Sequence, residues 1–198
     1  MNDPAALDDG ALADRALRDP DAYGAIVLRF EAALKRYVGR LLGRHAQSAE
    51  DVLQDVFIKA YVNLNDYDTS RPLAPWLYRI AHNEAVSFLR KRSSEPQVID
   101  GEDGRFLLER MRDETLADGR VRFDLTESGV NGALIELDPR YRDALVLRYL
   151  EDKSYDEISD ILQMPPGTVA TRIRRGLERL KSTLTTSPPA SGRHDGHE

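Results

Sequence analysis

What most restricts this chain is the step between its apolar residues, which is three or four in run after run and rarely two. Tyr23, Ile26, Val27, Phe30, Leu34, Tyr37, Val38 and Leu41 recur at this spacing and predict an amphipathic helix of about six turns. Asp19 and Pro20 ahead of it supply a cap and a first-turn proline. Val52, Leu53, Val56, Phe57, Ala60, Tyr61 and Leu64 predict a second helix opening at Ser48, with Asp51 three residues on in a capping-box-like arrangement. Trp76, Leu77, Ile80, Ala81, Phe88 and Leu89 predict a third, starting at Pro75 and ending in Arg90-Lys91-Arg92, cations that suit a helix C-terminus. Packed together, these three helices make one small α domain over residues 1–92.

Residues 93–131 break the pattern with Ser93-Ser94-Glu95-Pro96, several glycines and ten acidic against five basic side chains. They are expected to form an acidic linker, with a short helix over 105–116 and an extended stretch through Val121, Phe123 and Leu125. Helical spacing resumes with Asp138-Pro139 as cap and first turn, and runs to about Leu150. Ser154-Tyr155-Asp156-Glu157 reads as a full capping box opening a short helix over Tyr155–Leu162. Gln163-Met164-Pro165-Pro166-Gly167 is the turn. A last helix follows to about Leu180, with Val169, Ile173, Leu177 and Leu180 facing inward. A second domain over 132–181 results, and the Ser-, Pro- and Gly-rich residues 182–198 are expected to be a disordered tail. The fold class is all-α: two small helical domains joined by a linker, the second a helix-turn-helix, with no sheet and no internal repeat.

Composition narrows the function classes. The absence of cysteine excludes disulfides, thiolate zinc sites and thiol nucleophiles. No stretch approaches the roughly 18 uninterrupted apolar residues of a membrane span. Met1-Asn2-Asp3-Pro4 lacks the basic-then-apolar order of a signal peptide, so a cytoplasmic location without membrane insertion is expected. The net charge of −6 conceals its distribution. Residues 23–92 carry eleven basic and seven acidic side chains, and residues 166–181 carry five basic and one acidic. Two basic surfaces on either side of an acidic connector suggest two polyanion contacts on one chain.

The second of these surfaces has a defined shape. A capped short helix, a tight turn and a basic helix form a helix-turn-helix, whose second helix enters the major groove. With the apolar stripe turned inward, Thr168, Thr171, Arg172, Arg175 and Arg179 lie on the opposite face. Arginines there can take guanine edges in bidentate fashion or neutralise phosphates. A plain helical hairpin with a solvated basic face would carry the same residues.

Ser154-Tyr155-Asp156-Glu157-Ile158-Ser159, followed by Pro166-Gly167-Thr168-Val169-Ala170-Thr171-Arg172-Ile173-Arg174-Arg175-Gly176, resembles the final DNA-binding domain of bacterial sigma factors, most closely the extracytoplasmic-function (ECF) group. The resemblance implies that this helix pair reads the minus-thirty-five promoter element. Gln163 stands where the family's turn commonly has glycine, and Ala170 where it often has lysine. A left-handed backbone at Gln163 would cost about 1 kcal/mol.

Ser48-Ala49-Glu50-Asp51-Val52-Leu53-Gln54-Asp55-Val56-Phe57 is similar to the family's core-binding helix, which implies that Asp51, Gln54 and Asp55 meet the clamp helices of the largest subunit of core RNA polymerase. Taken alone, acidic residues in a first turn also answer the helix dipole. The stretch from Asp66 through Tyr67, Arg71, Trp76 and Arg79 to Asn83 is similar to the promoter-melting segment. A flipped base needs a pocket that stacks its face and bonds its edge, and the loop offers Tyr67 and polar groups for one. Arg79, Asn83 and Arg90 recur on one helix face, where they could follow the non-template strand of the minus-ten element, whereas Trp76 reads as core packing. The resemblance further implies a connector near the polymerase's RNA exit path and control by an anti-sigma factor.

Enzyme readings find little. His45, His82, His194 and His197 share no ligand spacing within the folded region, and no phosphate-binding loop of the G-x-x-x-x-G-K kind occurs. No catalytic residue, cofactor or metal site is expected. The chain is expected to be an alternative sigma factor that binds core polymerase and promoter DNA and directs transcription initiation. The alternative is a helix-turn-helix regulator that binds a palindrome as a dimer, without polymerase.

Overall fold

The computed structural model describes residues 9–92, 132–134 and 136–186. The expected linker, including its short helix over 105–116 and the extended stretch at Val121, Phe123 and Leu125, lies outside the described residues, as do residues 187–198 of the expected tail. All regular structure among the described residues is helical: α1 (Asp9–Arg18), α2 (Tyr23–Leu42), α3 (Ala49–Val62), α4 (Leu73–Lys91), α5 (Pro139–Leu145), α6 (Tyr155–Leu162) and α7 (Pro166–Thr186).

The N-terminal half has one helix more than the three expected. Leu12, Ala13 and Ala16 of α1 are buried, and its Asp9 accepts from Arg29 of α2 at 3.1 Å. With only ten residues and mostly alanine on its inner face, α1 offers too few large apolar steps for periodicity to register. Asp19 caps a short 3-10 turn, Pro20–Ala22, by accepting from the Asp21 amide at 3.1 Å, and this turn runs directly into α2.

Two helix starts differ from expectation. Ser48 makes no capping bond at the start of α3, because a 3-10 stretch, Gly43–Ser48, feeds the helix and leaves Ser48 out of the extended geometry of a cap. The α4 helix opens at Leu73 instead of Pro75: Pro72 takes the extended cap position, and Pro75 fits in the first turn, where a missing amide proton costs nothing. The core of this half is Phe30, Leu34, Tyr37 and Val38 of α2 against Val52 and Val56 of α3 and Leu77 and Ala81 of α4. The Tyr23 hydroxyl donates to the Phe57 carbonyl at 2.7 Å, which pins α2 to α3.

In the C-terminal half, Asp138 caps α5 by accepting from the Arg140 amide at 3.0 Å. The expected single helix to Leu150 instead changes gait. Val146–Leu150 is a π-helical turn, and the Glu151 amide closes it on the Val146 carbonyl at 3.1 Å. The capping box forms in full at α6: the Glu157 amide donates to Ser154 Oγ at 3.2 Å, and the Ser154 amide to Glu157 Oε2 at 2.8 Å. Gln163 takes the left-handed conformation, φ 52°, ψ 51°, and its side-chain amide donates to the Asp160 carbonyl at 2.6 Å. The α7 helix continues to Thr186, past the expected start of a disordered tail at residue 182, because Leu184 lies one turn after buried Leu180 and packs against the same core. Gly176 lets α7 approach α5: a Cβ there would sit 3.2 Å from the Leu145 side chain.

The two halves are packed on each other, chiefly α4 against α6.

Candidate functional site

Three surfaces carry the residues singled out from the sequence. The first is the outer face of α3. Val52, Leu53, Val56 and Ala60 are buried, which forces Asp51, Gln54 and Asp55 outward, one helical turn apart on a single stripe. All three are exposed. The stripe continues into apolar side chains left in solvent, Ile58 at 54% and Val62 at 68% exposure. Glu50 beside it is tied to Lys35 of α2, which holds its carboxyl below the usual range.

The second surface surrounds the loop before α4. A cavity of about 220 Å³ is lined by Tyr67, Asp68, Arg71, Trp76 and Arg79, with Asp160 of α6 on its far wall. The loop is braced from within: the Ser70 amide and hydroxyl donate to Asp68 Oδ1 at 3.0 and 2.7 Å, which lowers the Asp68 pKa. Tyr67 has 7% of its surface exposed, its ring centroid lies 5.1 Å from that of Trp76, and its hydroxyl donates to the Arg71 carbonyl. Burial pushes this phenol up to about 12. Tyr67 therefore forms part of the cavity wall, and offers a base only the part of its ring that Trp76 leaves uncovered.

A second groove, of about 230 Å³, runs along α4 on the other side of Trp76 and Arg79, between Asn83 and the Lys59–Glu84 ion pair. The structure thus brings Tyr67 and Arg79 to one cavity and Arg79 and Asn83 to the next. Arg90 is exposed in the last turn of α4, seven residues beyond Asn83 on the same face. Trp76 is half-buried and borders both hollows.

The third surface is the outer face of α7. Val169, Ile173 and Leu180 are buried and Leu177 is partly so, leaving Thr168, Arg175 and Arg179 exposed. Thr171 spends its hydroxyl on its own helix, donating to the Gly167 carbonyl at 2.8 Å. Arg172 is half-buried, and its charge partly opposes the rise that burial imposes on the carboxyl of Asp143 on α5. The Arg179 guanidinium lies 4.8 Å over the Tyr141 ring, a cation–π contact that steadies it near the surface. The sequence reading did not single out Arg71 or Asp160, whose place at the cavity depends on how loop and halves pack, nor Arg174, exposed near Glu178 at 4.0 Å.

Among the described residues no group of His, Asp or Glu is arranged to hold a metal ion, and no helix is long and apolar enough to cross a membrane. The arrangement suits contact with macromolecules: one acidic-polar helix face, one cavity-bearing face of mixed charge and one basic recognition helix.

Comparison with known proteins finds two family matches along the chain. Residues 26–95 match the family Sigma-70 region 2, and residues 130–180 match Sigma-70, region 4. The chain is 35% identical over 171 residues to the ECF RNA polymerase sigma factor SigW of Bacillus subtilis, covering 84% of this chain and 90% of that protein. It is 32% identical over 189 residues to the ECF RNA polymerase sigma-E factor of Escherichia coli K12, covering 90% and 95%. Among solved structures, CnrH in complex with the cytosolic domain of CnrY shares the fold at a TM-score of 0.64 and 24% identity, over 91% of this chain and 99% of that one. The sigma factor RpoE from Bartonella quintana, solved with the anti-sigma factor NepR, does so at a TM-score of 0.58 and 24% identity, over 84% and 98%.

Proposed function

The chain belongs to the extracytoplasmic-function sigma factors, non-catalytic subunits that direct RNA polymerase to promoters, and from that premise we propose how the task is divided along it. Residues 1–92 bind core polymerase and melt the promoter, residues 93–131 connect, and residues 132–181 bind the upstream element. The protein acts in the cytoplasm, and an anti-sigma factor that covers its polymerase-binding surface controls it.

Asp51, Gln54 and Asp55 meet the clamp helices of the largest polymerase subunit. The observation that carries this reading is their stripe: three polar side chains held clear of the core by a helix whose other face is buried. Tyr67, Arg79, Asn83 and Arg90 engage the minus-ten element, an unstacked base entering the cavity beside Tyr67 while the arginines neutralise the strand. Thr168, Thr171, Arg172, Arg175 and Arg179 engage the minus-thirty-five element. Arg172 and Arg175 sit nearest the helix start, the end that reaches base edges, and Arg179 sits where the helix leaves the groove for the phosphates.

Binding to core polymerase tests the reading. Replacing Asp51, Gln54 and Asp55 together with alanine removes the polar stripe and leaves the buried stripe intact. Affinity for core enzyme should fall about tenfold or more, equivalent to about 1.4 kcal/mol, while helicity and melting temperature stay near those of the parent. Unchanged affinity would put the polymerase contact on another surface.

A further inference from the structure

The α1 helix precedes the residues that match Sigma-70 region 2, and none of the side chains given a task above lies on it. Its inner face is Leu12, Ala13 and Ala16, all buried, and Leu12, the one large side chain among them, has no surface exposed. Through this face α1 packs against α2, α4 and the 3-10 turn Leu64–Asp66 that leads into the loop before α4. The Asp9 carboxylate at its start accepts from Arg29 of α2 at 3.1 Å, which keeps the helix from sliding along its seat.

That seat lies behind Tyr67. The carboxylates of Asp9 and Asp14 are near enough to the Tyr67 hydroxyl to add to the rise that burial imposes on its pKa. No α1 residue lines the cavity that Tyr67 borders, so the helix approaches Tyr67 from the side away from it. Tyr67 is thus held by the Trp76 ring, 5.1 Å away between centroids, by the Arg71 carbonyl that accepts from its hydroxyl, and by α1 at its back. A side chain ordered in advance loses no freedom at the moment it meets its ligand. For a loop that captures a base as it leaves the stack, an ordered wall keeps the stacking gain whole against the cost of unstacking.

We propose that α1 is a brace for base capture: seated by Leu12, Ala13 and Ala16 and tied by Asp9 to Arg29, it holds Tyr67 in place as the wall of the cavity. Its side chains are positioning residues that act through Tyr67 and touch no DNA themselves. The proposal rests on the assignment of Tyr67 to base capture in the minus-ten element.

Trp76 is the only tryptophan in the chain and stands against Tyr67, so its fluorescence in the free protein reads the seat of Tyr67 without DNA. Leu12→Ala should raise the acrylamide quenching of Trp76. The same variant in holoenzyme should slow promoter opening about fivefold, the low end of what a base stack contributes, while affinity for core polymerase stays at the parent's. Leu12→Met, which refills the volume, should restore both readings. Asp9→Ala, which cuts the tie to Arg29 without opening a cavity in the core, should move both in the same direction if Leu12→Ala folds poorly. Added to Tyr67→Ala, Leu12→Ala should slow opening little further, because the two act through one contact. Parent-like quenching in both Leu12→Ala and Asp9→Ala would overturn the brace, and so would slowing that adds in full to that of Tyr67→Ala. Normal opening by a Leu12→Ala protein whose Trp76 has become accessible overturns it too, given that Tyr67→Ala is slow. The underlying assignment fails separately, if Tyr67→Ala alone opens promoters at the parent's rate.

Discussion

At the scale of single residues, Asp143 and His82 are set against each other where the halves meet. Burial pushes the Asp143 carboxyl up to about 6, against the pull of Arg142 and Arg172, with Asp138 adding to the rise. Burial also pushes the His82 imidazole down to about 4, beside Tyr37 and Asp143. The signs are opposite. For Asp143 the folded chain binds a proton more readily than the unfolded one, so its penalty is full above about pH 6 and is relieved as the pH falls towards the ordinary carboxylate value. For His82 the unfolded chain takes the proton first, so stability is lost as the pH falls from the ordinary imidazole value to about 4. At about 1.4 kcal/mol per unit, each effect is on the order of 3 kcal/mol, and between pH 6 and pH 4 they largely offset each other. Separating them gives a prediction. From pH 7 to pH 4.5, Asp143→Asn should lose stability relative to the parent, and His82→Gln should gain. Urea midpoints at the two pH values measure both, and shifts of the same sign would show that the pair does not titrate in this way.

At the scale of elements, α6 and α7 show what local sequence can and cannot dictate. The capping box at Ser154 and Glu157 and the turn that begins at Gln163 are legible because they are made by residues within a few positions of one another, whereas the left-handed backbone at Gln163 is expected only from the family resemblance. Ser154→Ala should therefore cost about 1 kcal/mol, with the loss confined to the helix-turn-helix. Gly176 is the contrary case. In isolation, alanine favours a helix over glycine by about 1 kcal/mol. Here the added methyl would sit 3.2 Å from the side chain of Leu145, which is fully buried and would have to give by a few tenths of an ångström. Gly176→Ala should destabilise by about 1–3 kcal/mol through overpacking, and a thermal melt that shows stabilisation would mean α5 and α7 can move apart. Spacing reported the amphipathic stripes of α2, α3, α4 and α7 for the same local reason. It was silent on α1, whose inner face is mostly alanine, and it misled at Ser48, where the expected cap is unused, and after Leu145, where the expected continuous helix takes a π-helical turn, since each depends on what the segment packs against. The candidate site follows the same rule: the stripe on α3 and the arginines of α7 are read from one helix at a time, whereas the seating of Tyr67 under Trp76 and the arrival of Asp160 at the cavity need the tertiary structure.

At the scale of the whole molecule, the geometry of the task and of the docked chain do not coincide. Elements named for positions thirty-five and ten lie about 25 base pairs, roughly 80 Å, apart at 3.4 Å per step. A compact chain of this length has a radius of gyration of only about 16 Å. On the division proposed above, the halves cannot stay docked and serve both elements, and residues 93–131 would have to span the difference. Fully extended, they reach about 130 Å, which suffices. Their charge points to a role beyond reach. Ten acidic against five basic side chains make the connector the most negative part of the chain between two basic surfaces. A polyanionic connector suits the positively lined path by which RNA leaves the polymerase, and would hold that path until the transcript displaces it. Replacing Asp100, Glu102, Asp103, Asp113 and Glu114 by their amides keeps the length and nearly the shape while removing five negative charges. Holoenzyme affinity should fall severalfold, and the fall should shrink as salt is raised, since the lost attraction is one that salt already screens. The ratio of short abandoned transcripts to full-length product should drop as well, because the transcript meets less competition. If affinity, its salt dependence and the transcript ratio all match those of the parent, residues 93–131 act by length alone.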